Sequence, residues 1–257
     1  MSRTLHVLAP IALVALLLGA WEAACRLLQV PAYLLPAPSQ IFAAIAAGAP
    51  LLIASAWNTL AAALGALVLA SLVACALALA VSMSGLMRSA VRPLAVTIQA
   101  TPIVALAPLA VVWAGVDHPG RAVVGLAVIA AFFPIFSGAL TGLNSADADL
   151  ERLFDLYGAG PLQRLLKLRL PAATPFLIEG HKVAAGLAMV GAVVAEFAAG
   201  SGGVQGLAWR ILEASNRLQM AKVFAALFVL AAMAAALFGV LQLLEQQALA
   251  RWRGRPR

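Results

Sequence analysis

The sequence predicts an all-α, polytopic membrane protein of about six transmembrane helices. Of 257 residues, 64% are hydrophobic and 11% are charged, and mean hydropathy is +1.00. A soluble chain carries about a quarter charged residues, so this one lacks the polar complement to cover a water-facing surface of its size. Its apolar residues fall in runs of about 20, the length a helix needs to cross the hydrocarbon core. The loops left between them are short, which excludes a large extramembrane domain. The whole of 1–257 reads as one domain.

A net charge of +7 in such a chain reflects basic ends held at one membrane face rather than a nucleic-acid partner. Cys25 and Cys75 sit in apolar runs and read as small buried hydrophobes, not a disulfide. His6, His118 and His181 are scattered, so no metal site is expected. No Ser-His-Asp set and no paired carboxylates are discernible. No catalytic residue is assigned, and the chain is not read as an enzyme.

The first span covers about 8–28. Arg3 followed by the apolar run from Val7 to Gly19 has the look of a signal peptide, and Cys25 after Ala23-Ala24 hints at a lipoprotein site. Glu22, however, stands where such sites want an aliphatic residue, and the run continues through Leu28. An uncleaved helix is expected, with Glu22 and Arg26 paired at i, i+4. Pro31, Pro36 and Pro38 then break the chain, and Ser39 is expected to cap a short new helix.

The second span, 58–83, carries a stripe of small residues at every fourth position: Asn58, Ala62, Ala66, Ala70, Ala74, Ala78 and Ser82. In lipid, small residues at this spacing let backbones approach closely, within the chain or across a dimer. The third span, 93–114, holds Pro93, Pro102 and Pro108 and should be interrupted near the last two. A broken helix at membrane depth survives only where protein or a water-filled cavity satisfies the freed carbonyls. Gln99, Thr101 and Pro102 are therefore candidate translocation-pathway residues.

The fourth span, 121–143, adds Ser137 beside Pro134 and a small pair at Gly138 and Gly142. The fifth, 173–199, adds Glu196 near its far end, as a pathway residue or as a structural partner. Glu179, His181 and Lys182 lie near its start. For Gln99, Thr101 and Ser137, helix-to-helix hydrogen bonding is the alternative reading. The sixth span covers about 220–245. With the N-terminus inside, twelve of the 17 basic residues fall on the cytoplasmic side. Both termini are then expected in the cytoplasm.

The one long hydrophilic interruption is 145–171. It holds Asp147, Asp149, Glu151, Arg152, Asp155, Arg164, Lys167 and Arg169, with acids at its start and bases at its end. Two short helices hinged at Gly158-Ala159-Gly160-Pro161 are expected. Gly158, nine residues, Leu168, one residue, Leu170-Pro171 resembles the cytoplasmic loop signature of the permeases of binding-protein-dependent ABC transporters. That signature opens on Glu-Ala-Ala, where this chain has Arg152-Leu153-Phe154 with Glu151 one position early. LLPAPSQIFAAI, RPLAVTIQATPIVALAPLAVVWAG and LPAATPFLIEGHKVAAGLAMVGAVVAEFAAGSGGVQGL resemble the outer loop, third span and fifth span of the sulfonate, taurine and nitrate branch. The likeness covers about 31–245.

The resemblance implies a permease subunit that forms the pathway of an ATP-driven importer in the bacterial inner membrane. The loop would couple to an ATPase through Glu151, Arg152, Gly158, Ala159, Gly160, Leu168, Leu170 and Pro171. Implied partners are an ATPase subunit dimer, a solute-binding protein, a second permease copy and membrane lipid. The chain has no G-x-x-x-x-G-K-[ST] sequence, so ATP and Mg belong on the ATPase and no cofactor is expected here. The branch suggests a sulfonate, taurine or nitrate as solute. A thiamine-precursor pyrimidine or another heterocycle is the alternative, and an ATP-independent transporter or channel the more distant one.

Overall fold

The computed structural model describes residues 3–115, 117–199 and 205–252, and the regular structure among them is entirely helical. The chain divides into two compact units, residues 1–57 with 205–232 and residues 58–204 with 233–257. Helices α2 (Pro38–Met83) and α10 (Met220–Trp252) each contribute to both.

In the first unit, α1 (Arg3–Leu27) ends in the expected ion pair, Arg26 to Glu22 at 2.6 Å. The same carboxylate accepts from the Ser39 backbone N–H at 2.9 Å and from Ser39 Oγ at 2.8 Å, which ties the start of α2 to the end of α1. Ser39 therefore does not cap a short separate helix. The helix begins at Pro38 and runs unbroken for 46 residues through the second span to Met83. Proline suits a first helical position, where its missing N–H costs nothing. The stretch that follows is rich in alanine and leucine, so only Pro50 and the glycines Gly48 and Gly65 oppose continuation. Trp21 of α1 packs on Phe224 and Phe228 of α10, with ring centroids 5.8 and 6.3 Å apart. Short α9 (Leu207–Asn216) precedes α10.

The second unit is built on α5 (Pro119–Leu143) against α8 (Leu170–Ala199). Four glycines hold these backbones together. A Cβ at Gly138 would lie 2.7 Å from the Phe176 carbonyl oxygen, and one at Gly142 would lie 2.8 Å from the Ala173 Cα. One at Gly180 would lie 2.7 Å from the Pro134 carbonyl oxygen, and one at Gly191 would lie 2.7 Å from the Ala127 Cα. The pairs run in opposite sequence directions, so the helices are antiparallel. Close backbone approach is what drives helix association in lipid.

The alanine stripe of α2 is resolved in favour of the chain itself. Ala66, Ala70, Ala74 and Ala78 are fully buried without a partner molecule. Two polar pairs tie this half of α2 to α8: Thr59 with Glu196 at 2.7 Å and Ser71 with His181 at 2.8 Å. The His181 Nδ1 lies 2.7 Å from the Leu177 carbonyl, which can only accept. Nδ1 therefore donates, and in the neutral ring Nε2 accepts from Ser71 Oγ.

The third span is interrupted once. Helix α3 (Gly85–Ala100) stops at the Thr101-Pro102 bend and α4 (Ile103–Ala114) starts beyond it. Pro108 does not break α4, contrary to expectation. It removes one backbone bond, to the Val104 carbonyl, from a helix otherwise made of isoleucine, alanine, leucine and valine around a tryptophan. Between α5 and α8 lie α6 (Ala148–Leu156), α7 (Pro161–Arg164) and a π-helical turn, Leu165–Arg169. The fifth span does not begin afresh near 173: α7, the π turn and α8 form one helix, Pro161–Ala199. The π turn sends the Leu170 N–H back five residues to Leu165. That widening gives the Pro171 ring room in a helix it would otherwise break.

Among the described residues, four helices are long and apolar enough to cross a membrane: α2, α5, Pro161–Ala199 and Met220–Gln247 of α10. The 25-residue α1 and the shorter α3 and α4 complete the polytopic, all-α architecture.

Candidate functional site

The hydrophilic loop forms two helical arms about a glycine hinge. The Asp147 side chain caps α6 by accepting from the Asp149 N–H at 2.7 Å, and Asp149 and Glu151 in the first turn suit the positive end of the helix dipole. At the other end of α6 the chain reverses through Gly158, whose φ of +63° is left-handed. The Ala159 N–H then reaches back to the Phe154 carbonyl at 3.0 Å, a helix stop that selects glycine. Gly160 has an ordinary φ of −68°, so its position does not require glycine; its N–H donates to Gln163 Oε1 at 3.3 Å. Pro161 opens the second arm.

Charges lock the arms together. Glu151 Oε1 accepts from Arg169 Nε at 2.8 Å and its Oε2 from Arg164 at 3.4 Å. Arg164 also pairs with Asp155 at 2.5 Å. Glu151 thus faces the second arm, while Arg152 is exposed and pairs with Asp149 at 3.0 Å. Leu168 is buried and Pro171 half-buried, so these two anchor the arm to the bundle, while Leu170 is exposed.

The hinge carries a feature the sequence reading passed over. Leu156 and Tyr157 are 85% and 82% exposed, and Leu153 and Leu162 are exposed beside them in sequence. The signal was present: Leu153, Leu156 and Tyr157 stand at i, i+3 and i+4, one face of a helix whose other faces are charged.

Among the described residues, the candidate pathway residues do not share one cavity. Thr101 and Pro102 are exposed at the bend, with Thr101 Oγ1 donating to the Thr97 carbonyl at 2.9 Å. The Gln99 side chain and the glycine-rich stretch 200–204 lie outside the described residues. Ser137 lines a cavity of about 320 Å³ between α5 and α8, together with Pro134, Thr141 and Phe176. Glu196 is not in that lining; it is 1% exposed, between α8 and α2.

Apolar antiparallel spans, with one charged helix–hinge–helix loop between two of them, define a multi-pass membrane protein of the transport-permease class. The chain belongs to the family of binding-protein-dependent transport system inner membrane components, whose model matches residues 66–251. It is similar to a formylaminopyrimidine transport permease protein of Halalkalibacterium halodurans, 31% identical over 98% of this chain and 99% of that one. A riboflavin transport system permease protein of Chloroflexus aurantiacus is 33% identical over 92% and 87%. A taurine transport system permease protein of Escherichia coli is 28% identical over 93% and 88%. The chain is therefore a transport permease subunit of an ABC importer and not an enzyme, and the family implies an ATPase and a solute-binding protein as partners.

Proposed function

We propose that two copies of this chain form the translocation pathway of an ATP-driven importer, and that residues 145–171 are the surface on which the ATPase seats. The observation that carries this is the hinge. Glu151, Arg164 and Arg169 brace it from within, Leu168 anchors it, and Leu156 and Tyr157 stand out from it uncovered. A rigid lever with an apolar tip can transmit a movement; a mobile loop cannot. Both termini and this loop lie in the cytoplasm on the basic-residue asymmetry. Glu151 acts in this reading as an internal brace, and Arg152 as a rim charge orienting the encounter. Hydrolysis of ATP on the partner, with its Mg, supplies the energy.

The test is cross-linking through Leu156→Cys in a chain lacking Cys25 and Cys75, with the ATPase subunit co-expressed. A specific cross-link that shifts when nucleotide is trapped is expected. Cross-linking to lipid or to nothing, in every state, overturns the assignment.

For the solute we infer a pyrimidine-type or related heterocycle, ahead of the sulfonate, taurine or nitrate that the branch resemblance puts first. The order rests on the formylaminopyrimidine and riboflavin relatives, both more than 30% identical over nearly the whole chain. Ligand titration of the cognate solute-binding protein decides between them: tight binding of taurine and none of the heterocycles reverses the order.

A further inference from the structure

The first unit holds a cavity of about 550 Å³ that the transport reading leaves unused. One wall is apolar and comes from α2, with Ala47, Leu51 and Leu52. The other comes from α9 and the start of α10, and it brings Arg210, Arg217 and Lys222 to the same hollow with Glu213 as the acidic group of the lining.

That single carboxylate is divided. Glu213 Oε2 accepts from Arg210 at 2.9 Å and its Oε1 from Arg217 at 3.0 Å. Arg210, whose side chain is 14% exposed, is fixed further, donating from Nε to Ser55 Oγ at 3.0 Å and from Nη2 to Gln205 Oε1 at 2.6 Å. Arg217 is 65% exposed, and Lys222 has no carboxylate within ion-pair distance among the described residues. Three cations share one acid, so the lining keeps two positive charges in excess.

The volume lies within the roughly 300–1,000 Å³ usual for small-molecule sites, and the plan of apolar walls with a few convergent polar groups is theirs too. Guanidinium and ammonium groups beside a low-dielectric wall favour an oxyanion, whose hydrogen bonds they make short and charge-assisted. We propose that this cavity binds an organic anion: one sulfonate, carboxylate or phosphate head on a small apolar body. The head sits on Arg217 and Lys222 and the body lies against Ala47 and Leu51. Arg210, already committed to three partners, shapes the floor. A free solute and an anionic lipid both present this chemistry, and the site does not depend on what the permease transports.

The experiment uses the full chain in nanodiscs and has two arms. In phosphatidylcholine discs, toluenesulfonate is titrated by calorimetry; in mixed discs, retention of phosphatidylglycerol by the purified chain is measured by mass spectrometry. One site per chain is expected in at least one arm, and that arm identifies the source. Lys222→Gln and Arg217→Gln should each weaken it about tenfold, the loss of one charge-assisted contact, while Arg152→Gln leaves it unchanged. Gly48→Leu supplies a steric variant, because a Cβ there meets only the Leu52 side chain at 3.8 Å and a longer one enters the cavity. It should abolish binding without altering thermal unfolding. Absence of saturable binding in both arms overturns the proposal. So does binding indifferent to all three cavity variants.

Discussion

Glu151 stands one position before the family's opening triplet. Its geometry turns it inward onto Arg164 and Arg169. All three side chains are partly exposed, and such pairs contribute only about 0–1 kcal/mol each. Glu151→Gln should therefore leave thermal stability within a degree or two and lower uptake severalfold, because the arms lose their registration. The charge-reversed pair Glu151→Arg with Arg169→Glu should recover part of the uptake. A single variant with wild-type uptake would show that the brace has no part in coupling. Gly158 stands out from the spacing, and its φ of +63° is the reason that position calls for glycine. Gly160 looked equivalent in sequence and is not, since nothing in its backbone demands glycine.

At the scale of elements, composition marked the apolar runs and misjudged one proline. Pro102 breaks a helix as expected, whereas Pro108 lies inside one, as do Pro50 and Pro171. The difference is local: Pro102 follows Thr101 at a bend, while Pro171 is accommodated by a π turn that no residue pattern announces. The packing of α5 on α8 was visible only as a pair of small residues, because Gly180 and Gly191 on the facing helix sit among many alanines. Gly180→Leu should prevent stable insertion or lower the unfolding temperature by many degrees, since a Cβ there would lie 2.7 Å from backbone. Gly125→Leu, with nothing within 4 Å, should be tolerated. Equal stability of the two would mean the helices are not packed as described.

The bend between α3 and α4 carries the pathway proposal. A cysteine at Thr101, in a chain lacking Cys25 and Cys75, should react with a small water-soluble thiol reagent. Its rate should change when ATP is trapped on the partner, as alternating access requires. Inertness in every state would assign Thr101 to packing against a neighbour.

For the molecule as a whole, the hydropathy that rules out a soluble protein and the loop signature together define the family before any coordinate is known. What they leave unread is three-dimensional. The sequence cannot say that Leu156 and Tyr157 end up uncovered, because exposure depends on where α6 is pinned by charges 13 and 18 residues away. Nor can it say that Glu196 meets Thr59 across 137 residues of chain. The central claim is that the hinged loop transmits the work of the ATPase. Its most direct measurement is solute uptake and ATPase co-purification by Gly158→Arg. No atom lies within 4 Å of a Cβ at Gly158, so the strain of a side chain at positive φ is confined to the hinge. The account predicts normal insertion, loss of the co-purifying ATPase and uptake at background. Wild-type uptake with the ATPase still bound would contradict it.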